Sequence, residues 1–125
     1  MKNVTVSWFE IPVQNMERAI AFYETVFDCK LHRQQMGEID MAWFPWDEAG
    51  KGAGGSLVKN DEFYLPSADG VQIYFSSENV DTEIAKVGKA GGKVLSPKKE
   101  IAPDIGFMAL FMDTEGNRIS LHSNQ

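Results

Sequence analysis

The sequence predicts an α+β fold built from two βαβββ modules, residues 1–60 and 68–125, joined by a short linker at 61–67. Three observations predict it. Apolar and polar residues alternate with strand period at Val4–Val13 and again at Val71–Ser76. Each of these runs leads into an amphipathic helix that begins at an asparagine. The two halves also superpose without a gap at one constant offset. It sets Trp8 on Gln72, Asn15 on Asn79, Ile20 on Ile84, Ala21 on Ala85, Leu31 on Leu95 and Ser56–Leu57 on Ser120–Leu121.

The elements follow in order. Along Val4–Val13, Phe9, Ile11 and Val13 share one face, while Val6, Trp8 and Glu10 share the other. Asn15 is a good N-cap, and Glu17 places a negative charge where the helix dipole favours it. Met16, Ala19, Ile20, Tyr23 and Phe27 then repeat at helical spacing, so the helix is Met16–Phe27. Lys30–Met36 and Ile39–Trp46 read as strands about a Gly37–Glu38 turn. Gly50–Gly55 is a loop, a mobile lid or a plain hairpin connection, that leads into a strand at Ser56–Lys59. In the second half Asn79 caps a helix with the stripe Val80, Ile84 and Val87, ended by Gly91–Gly92. Strands are expected from Val94–Leu95, at Ile105–Met112 and at Arg118–His122, the last two joined by the Asp113–Gly116 turn.

Composition excludes several function classes. Lys and Arg number 12 against 18 Asp and Glu, a net charge of −6. Phosphate binding needs a basic surface, so a nucleic-acid partner is not expected, nor is an anionic membrane. One cysteine, Cys29, excludes an intramolecular disulfide and a Cys-based zinc finger. It has no evident cationic neighbour to make it a thiolate. The opening MKNVTVSWFEIPV lacks the apolar run of a signal peptide, and no stretch reaches the roughly 20 apolar residues of a membrane span. A reduced, cytoplasmic setting is expected. Gly50–Gly55 does not follow a strand and open a helix as a nucleotide loop must. Ser120 and His122 belong to no nucleophile elbow.

Several stretches together resemble the vicinal oxygen chelate superfamily, the group of glyoxalase I, bleomycin-resistance proteins and extradiol dioxygenases. They are Val13–Ala19 with Phe22–Tyr23–Glu24 and Val26–Phe27, then Asn79–Val80–Asp81 and Ala90–Val94, and the ending Phe111–Leu121. The ending contains Asp113–Thr114–Glu115–Gly116–Asn117 and is similar to the family's D-P-x-G-N-x-I-E-L. The resemblance implies that the two modules form a curved eight-stranded mixed sheet around a cavity, and that the protein is a homodimer. It also implies four metal-ligand positions, which here are Trp8, Ser56, Gln72 and Ser120. Indole cannot ligate, un-ionised hydroxyls ligate poorly and an amide is weak. No cofactor is therefore expected. The alternative is one divalent metal ion held in a shifted site by Glu10, Gln72 and His122.

Strand alternation agrees with the cavity that the resemblance implies. Phe9, Ile11, Leu57, Ile73, Phe75, Ile119 and Leu121 face helices. The opposite set holds Trp8, Glu10, Ser56, Val58, Gln72, Tyr74, Ser120 and His122, a mixture of aromatic and polar groups suited to a ligand. Glu10 is the candidate acid/base group, or an anchor for a cationic or hydroxyl group. Its bland alternative is a solvated strand end or a pair with Arg118. His122 is a candidate ligand contact whose bland alternative is a frayed terminal strand. His32 reads as an ordinary edge residue. Met41 and Trp43, or else Phe44 and Trp46, should line the cavity.

The expected partner is a small, partly apolar molecule, either sequestered or acted on by a lone acid/base group. The rivals are a metal-dependent lyase, isomerase or dioxygenase of the glyoxalase type, and a regulatory or interaction domain with a vestigial cavity.

Overall fold

The structure is a computed structural model that describes residues 3–125; residues 1 and 2 of the expected first module lie outside the described residues. The first module contains β1 (Trp8–Pro12), α1 (Met16–Phe27), β2 (His32–Met36), β3 (Ile39–Trp43) and β4 (Gly54–Lys59). The second contains β5 (Tyr74–Ser76), α2 (Val80–Val87), β6 (Lys93–Ala102), β7 (Gly106–Met112) and β8 (Arg118–Ser123). The fold is α+β with the expected element order in both halves. The eight strands form two four-stranded mixed sheets, ordered β1-β4-β3-β2 and β5-β8-β7-β6. In each sheet the first strand pairs parallel with the last, and the other pairs are antiparallel. The eight expected strands are thus present as two four-stranded ladders, one per module, with β1 and β2 at the edges of the first and β5 and β6 at the edges of the second; no ladder joins the two among the described residues.

Both helices start where their caps dictate. Asn15 accepts from the Arg18 amide at 3.0 Å and Asn79 from the Asp81 amide at 3.0 Å. The α1 helix ends at Asp28 in the left-handed region, φ 49°. Several strands are shorter than alternation suggests. Val4 and Val6 precede β1 and stand exposed, because β4 begins at Gly54 opposite Trp8 and offers them no partner. β3 stops at Trp43, two residues before Pro45, which has no amide to donate.

The core forms where helix faces meet sheet faces. Ile11, Leu57, Ile119 and Leu121 are buried, as their alternation requires, with Phe22, Tyr23, Val80 and Phe111. Burial of such side chains contributes about 1.5–3 kcal/mol each. The modules are welded through α1. Phe22 packs on Phe111 with ring centroids 5.7 Å apart, and Phe9 meets Phe75 edge-on at 5.4 Å. Tyr23 donates its hydroxyl to Asp113 at 2.6 Å, and burial followed by that carboxylate pushes the phenol well above its ordinary range. The Glu115 side chain is fully buried and accepts from the amides of Gln14 and Asn15 and from the Arg18 guanidinium.

Candidate functional site

A cleft of about 1170 Å³ opens between the sheet edges β1 and β5. Its walls carry Trp8, Phe9, Phe44, Trp46, Tyr74 and Phe75, with Glu10, Gln72 and Arg118 among the polar groups. Four of the seven candidate residues read from the sequence therefore line it: Trp8, Glu10, Gln72 and Tyr74. Phe9 and Phe75 face the helices as expected, yet they also wall the cleft, because it runs between the sheets and not over one continuous surface. Of the two alternative aromatic sets, Phe44 and Trp46 line the cleft. Strand alternation ceases to apply after Trp43, where β3 ends.

The other three candidates lie elsewhere. Ser56 and Ser120 sit on the inner strands β4 and β8 and are fully buried. Gln72 donates its side-chain amide to the Ser120 hydroxyl. His122 lies within β8, paired with Ser76 and Met108, and its Nε2 is 2.7 Å from the Ile105 carbonyl at the β6–β7 turn. The strand continues through it to Ser123, so the terminus does not fray there.

Glu10 is half-buried and forms no ion pair with Arg118 among the described residues. The Tyr64 hydroxyl donates to its Oε1 at 2.8 Å, and this bond is the main cause that raises the Tyr64 phenol above its ordinary range. Tyr64 belongs to the linker, which two sets of bonds hold in place. The Asn60 carbonyl accepts from the amides of Phe63 and Tyr64 at one end, and Asn117 accepts from the Ser67 amide at the other. Nothing periodic in the sequence could have exposed Tyr64, since it follows no strand or helix spacing.

Register shows what else shares this face of the first sheet. Glu10 lies opposite Ser56, Ser56 opposite Trp43 and Trp43 opposite His32. A row of hydrogen-bonding side chains thus crosses all four strands. Trp8 stands beside Trp43 edge-to-face at 5.5 Å, and both Trp8 and Trp46 crowd Gly54. All three tryptophans of the chain therefore lie at one place.

Among the described residues no group of three or more His, Cys, Asp or Glu side chains is arranged to hold a metal ion. The four positions the resemblance aligns offer one amide and two hydroxyls, and Gln72 and Ser120 bond to each other. That donor set does not fit a divalent ion. Cys29 lines the cleft, but burial and then the Glu24 and Asp28 carboxylates push its thiol up, away from a reactive thiolate.

The sequence pattern of the Glyoxalase/Bleomycin resistance protein/Dioxygenase superfamily matches residues 5–121. The chain belongs to that superfamily. Within it, a glyoxylase-like domain-containing protein from Didymella fabae is 31% identical over 122 residues, covering 90% of this chain and 88% of its own. The solved structure of TnmS3, an antibiotic binding protein from Streptomyces sp. CB03234, is 30% identical, with 100% of this chain and 99% of that one covered and a TM-score of 0.68. Glyoxalase I from Zea mays is 21% identical with a TM-score of 0.70 over 94% of this chain. The chain spans 45% of the maize enzyme, and at that identity the likeness is one of fold. No helix among the described residues is long and apolar enough to cross a membrane.

Proposed function

We propose that this superfamily member binds a small, partly apolar, planar molecule in the cleft, without a resident metal, and serves to sequester it. The observation that carries the reading is the wall itself. A cleft of about 1170 Å³ is faced by indole, phenol and phenyl rings with a few polar groups between them. Drug-sized ligands occupy pockets of roughly 300–1,000 Å³ built in this manner. The TnmS3 structure supports the choice of sequestration over catalysis, since that relative is described as an antibiotic binding protein and aligns end to end with this chain.

The experiment is a titration with a panel of planar aromatic antibiotics, followed by tryptophan fluorescence. All three tryptophans lie at or beside the cleft, so an occupant should quench most of the signal. Saturable quenching with micromolar or tighter affinity for at least one compound is the expected result. A panel that leaves the emission unchanged refutes the reading.

A second copy of this chain is the expected protein partner. Val6 and Val71 line the cleft and stand exposed, and the strands β1 and β5 present free sheet edges beside them. Exposed apolar surface next to open edges is what an interface covers. Light scattering should give twice the chain mass in solution. A monomer at micromolar concentration would remove the dimer while leaving the cleft. A cytoplasmic setting accords with the lone reduced cysteine.

A further inference from the structure

The chain has three arginines, and two of them are engaged by its own carboxylates. Arg18 bonds Glu115, and Arg33 bonds Asp40 and Glu17. Arg118 lines the cleft and stands exposed, and among the described residues its guanidinium has no ion pair and no hydrogen bond. Alternation along β8 sends Ile119 and Leu121 to the core. Arg118 therefore shares the opposite face with Ser120, where the Gln72 amide meets the Ser120 hydroxyl. β5 begins at Tyr74, opposite Ser120, so no residue of that strand lies opposite Arg118.

The repeat shows how unlike the two walls are at this level. The constant offset puts Arg118 where the first module has Gly54, and Gln72 where it has Trp8. A β-carbon on Gly54 would stand 3.1 Å from Trp46 and 3.3 Å from Trp8, so on that side the wall is indole. At the matching place on the other side it is a guanidinium with an amide near it.

We infer that Arg118 holds the carboxylate of a planar aromatic acid whose rings lie against Trp8 and Trp46. This inference rests on the small-molecule reading of the cleft and adds the chemical class that the cleft selects. A guanidinium presents its N–H donors in a planar fork that matches the two oxygens of one carboxylate. Lys51, on the Gly50–Gly55 loop, is the other cation on the wall, and an ammonium is a point charge without that fork. Glu10, Glu78 and Glu83 also line the cleft, and Glu10 and Glu83 already accept from the hydroxyls of Tyr64 and Ser77. Three nearby acids disfavour a dianion such as a phosphate monoester, so a single negative charge fits best.

The probes are anthracene-2-carboxylate, its primary amide and anthracen-2-ylmethylammonium, which share one ring frame and differ in the charge it carries. Calorimetry at pH 7 and the Arg118 Nε–H resonance are the readouts. Wild-type protein should bind the acid at least about tenfold more tightly than the amide, the lower range for a hydrogen bond to a charged group. The Arg118 Nε proton should move further downfield with the acid than with the amide. Arg118→Gln should bring the acid down to the amide's affinity. Arg118→Lys keeps the charge without the fork and should restore only part of the margin. Both variants should melt within a degree or two of wild type, since Arg118 is exposed and has no partner to lose among the described residues.

Equal affinity for the acid and the amide would overturn the inference while leaving small-molecule binding intact. A margin that survives Arg118→Gln would overturn it too and assign the anion to Lys51. Tighter binding of the ammonium than of the acid would overturn it in favour of the acidic groups on the wall. Failure of all three probes to bind would remove both readings.

Discussion

Glu115 should carry much of the acid sensitivity of this protein. Its carboxylate accepts from the Gln14 amide at 2.9 Å, the Asn15 amide at 2.8 Å and the Arg18 Nε at 2.7 Å, and Thr114 adds a hydroxyl at 2.9 Å. Burial pushes its pKa upward, but the Arg18 guanidinium, the two helix-start amides and the Thr114 hydroxyl outweigh that and hold it at about 2, against an ordinary value of 4.5. A depressed pKa means that the stabilisation is fully present above pH 4.5 and is lost as pH falls toward 2. At about 1.36 kcal/mol per unit the full shift would be roughly 3.4 kcal/mol, and discounting for the half-exposed Arg18 leaves about 2–3 kcal/mol. Urea unfolding of wild type and Glu115→Gln, followed by far-UV circular dichroism, measures it. The variant should lose about 2–3 kcal/mol at pH 7 and almost nothing relative to wild type at pH 2. A deficit that stays constant from pH 7 to pH 2 would refute the linkage and mean that the carboxylate acts by shape alone.

Three further outcomes follow from the same geometry. Gly55→Ala should destabilise by about 1–3 kcal/mol in thermal unfolding, because a β-carbon there would collide with the Phe9 ring. Asn15→Ala and Asn79→Ala should each cost about 1 kcal/mol through loss of a helix cap, with the far-UV helical signal at 25 °C otherwise retained. Glu10→Gln should leave Tm within a degree or two but weaken ligands that carry a hydroxyl or cationic group by about 1–3 kcal/mol, the scale of a charged hydrogen bond. Calorimetry on both proteins would expose a silent substitution, and that result would strip Glu10 of its role.

Local signals made much of this fold legible. Helix α1 runs over Met16–Phe27 as its cap and apolar spacing require, and the duplicated caps and paired serines recur at matching places in both sheets. In the first sheet Glu10 lies opposite Ser56, and in the second Tyr74 lies opposite Ser120, which is the same constant offset written in strand register. What alternation could not convey was where strands end, because an end depends on the partner: Val4 and Val6 alternate well and pair with nothing in the described ladders.

The cleft was half legible for a related reason. Gln72 reaches the cleft from the segment before β5, which begins at Tyr74 and not at Val71 as alternation suggests, whereas Trp8, Glu10 and Tyr74 follow from side-chain direction on a strand. Tyr64 and Glu115 do not, since each meets its partner across a long stretch of chain from an aperiodic segment. An acidic residue in the Asp113–Asn117 turn was visible. Its function as an acceptor for the start of a helix far away in sequence was not. The split of the eight strands into two ladders was likewise hidden, because β1 and β5 bury the same faces whether or not they hydrogen-bond to one another.

The central claim is that the aromatic cleft between β1 and β5 is a binding site for a planar molecule. It is tested most directly by calorimetric titration of the same planar aromatic antibiotics into wild-type protein and into Trp8→Ala, a partly exposed wall residue outside the core. The account predicts one bound molecule per chain at a Kd of about 10 µM or below, with a negative heat-capacity change, and a loss of at least about tenfold in Trp8→Ala. Binding of equal strength in both proteins would place the ligand elsewhere, and no heat of binding from any member of the panel would contradict the claim outright.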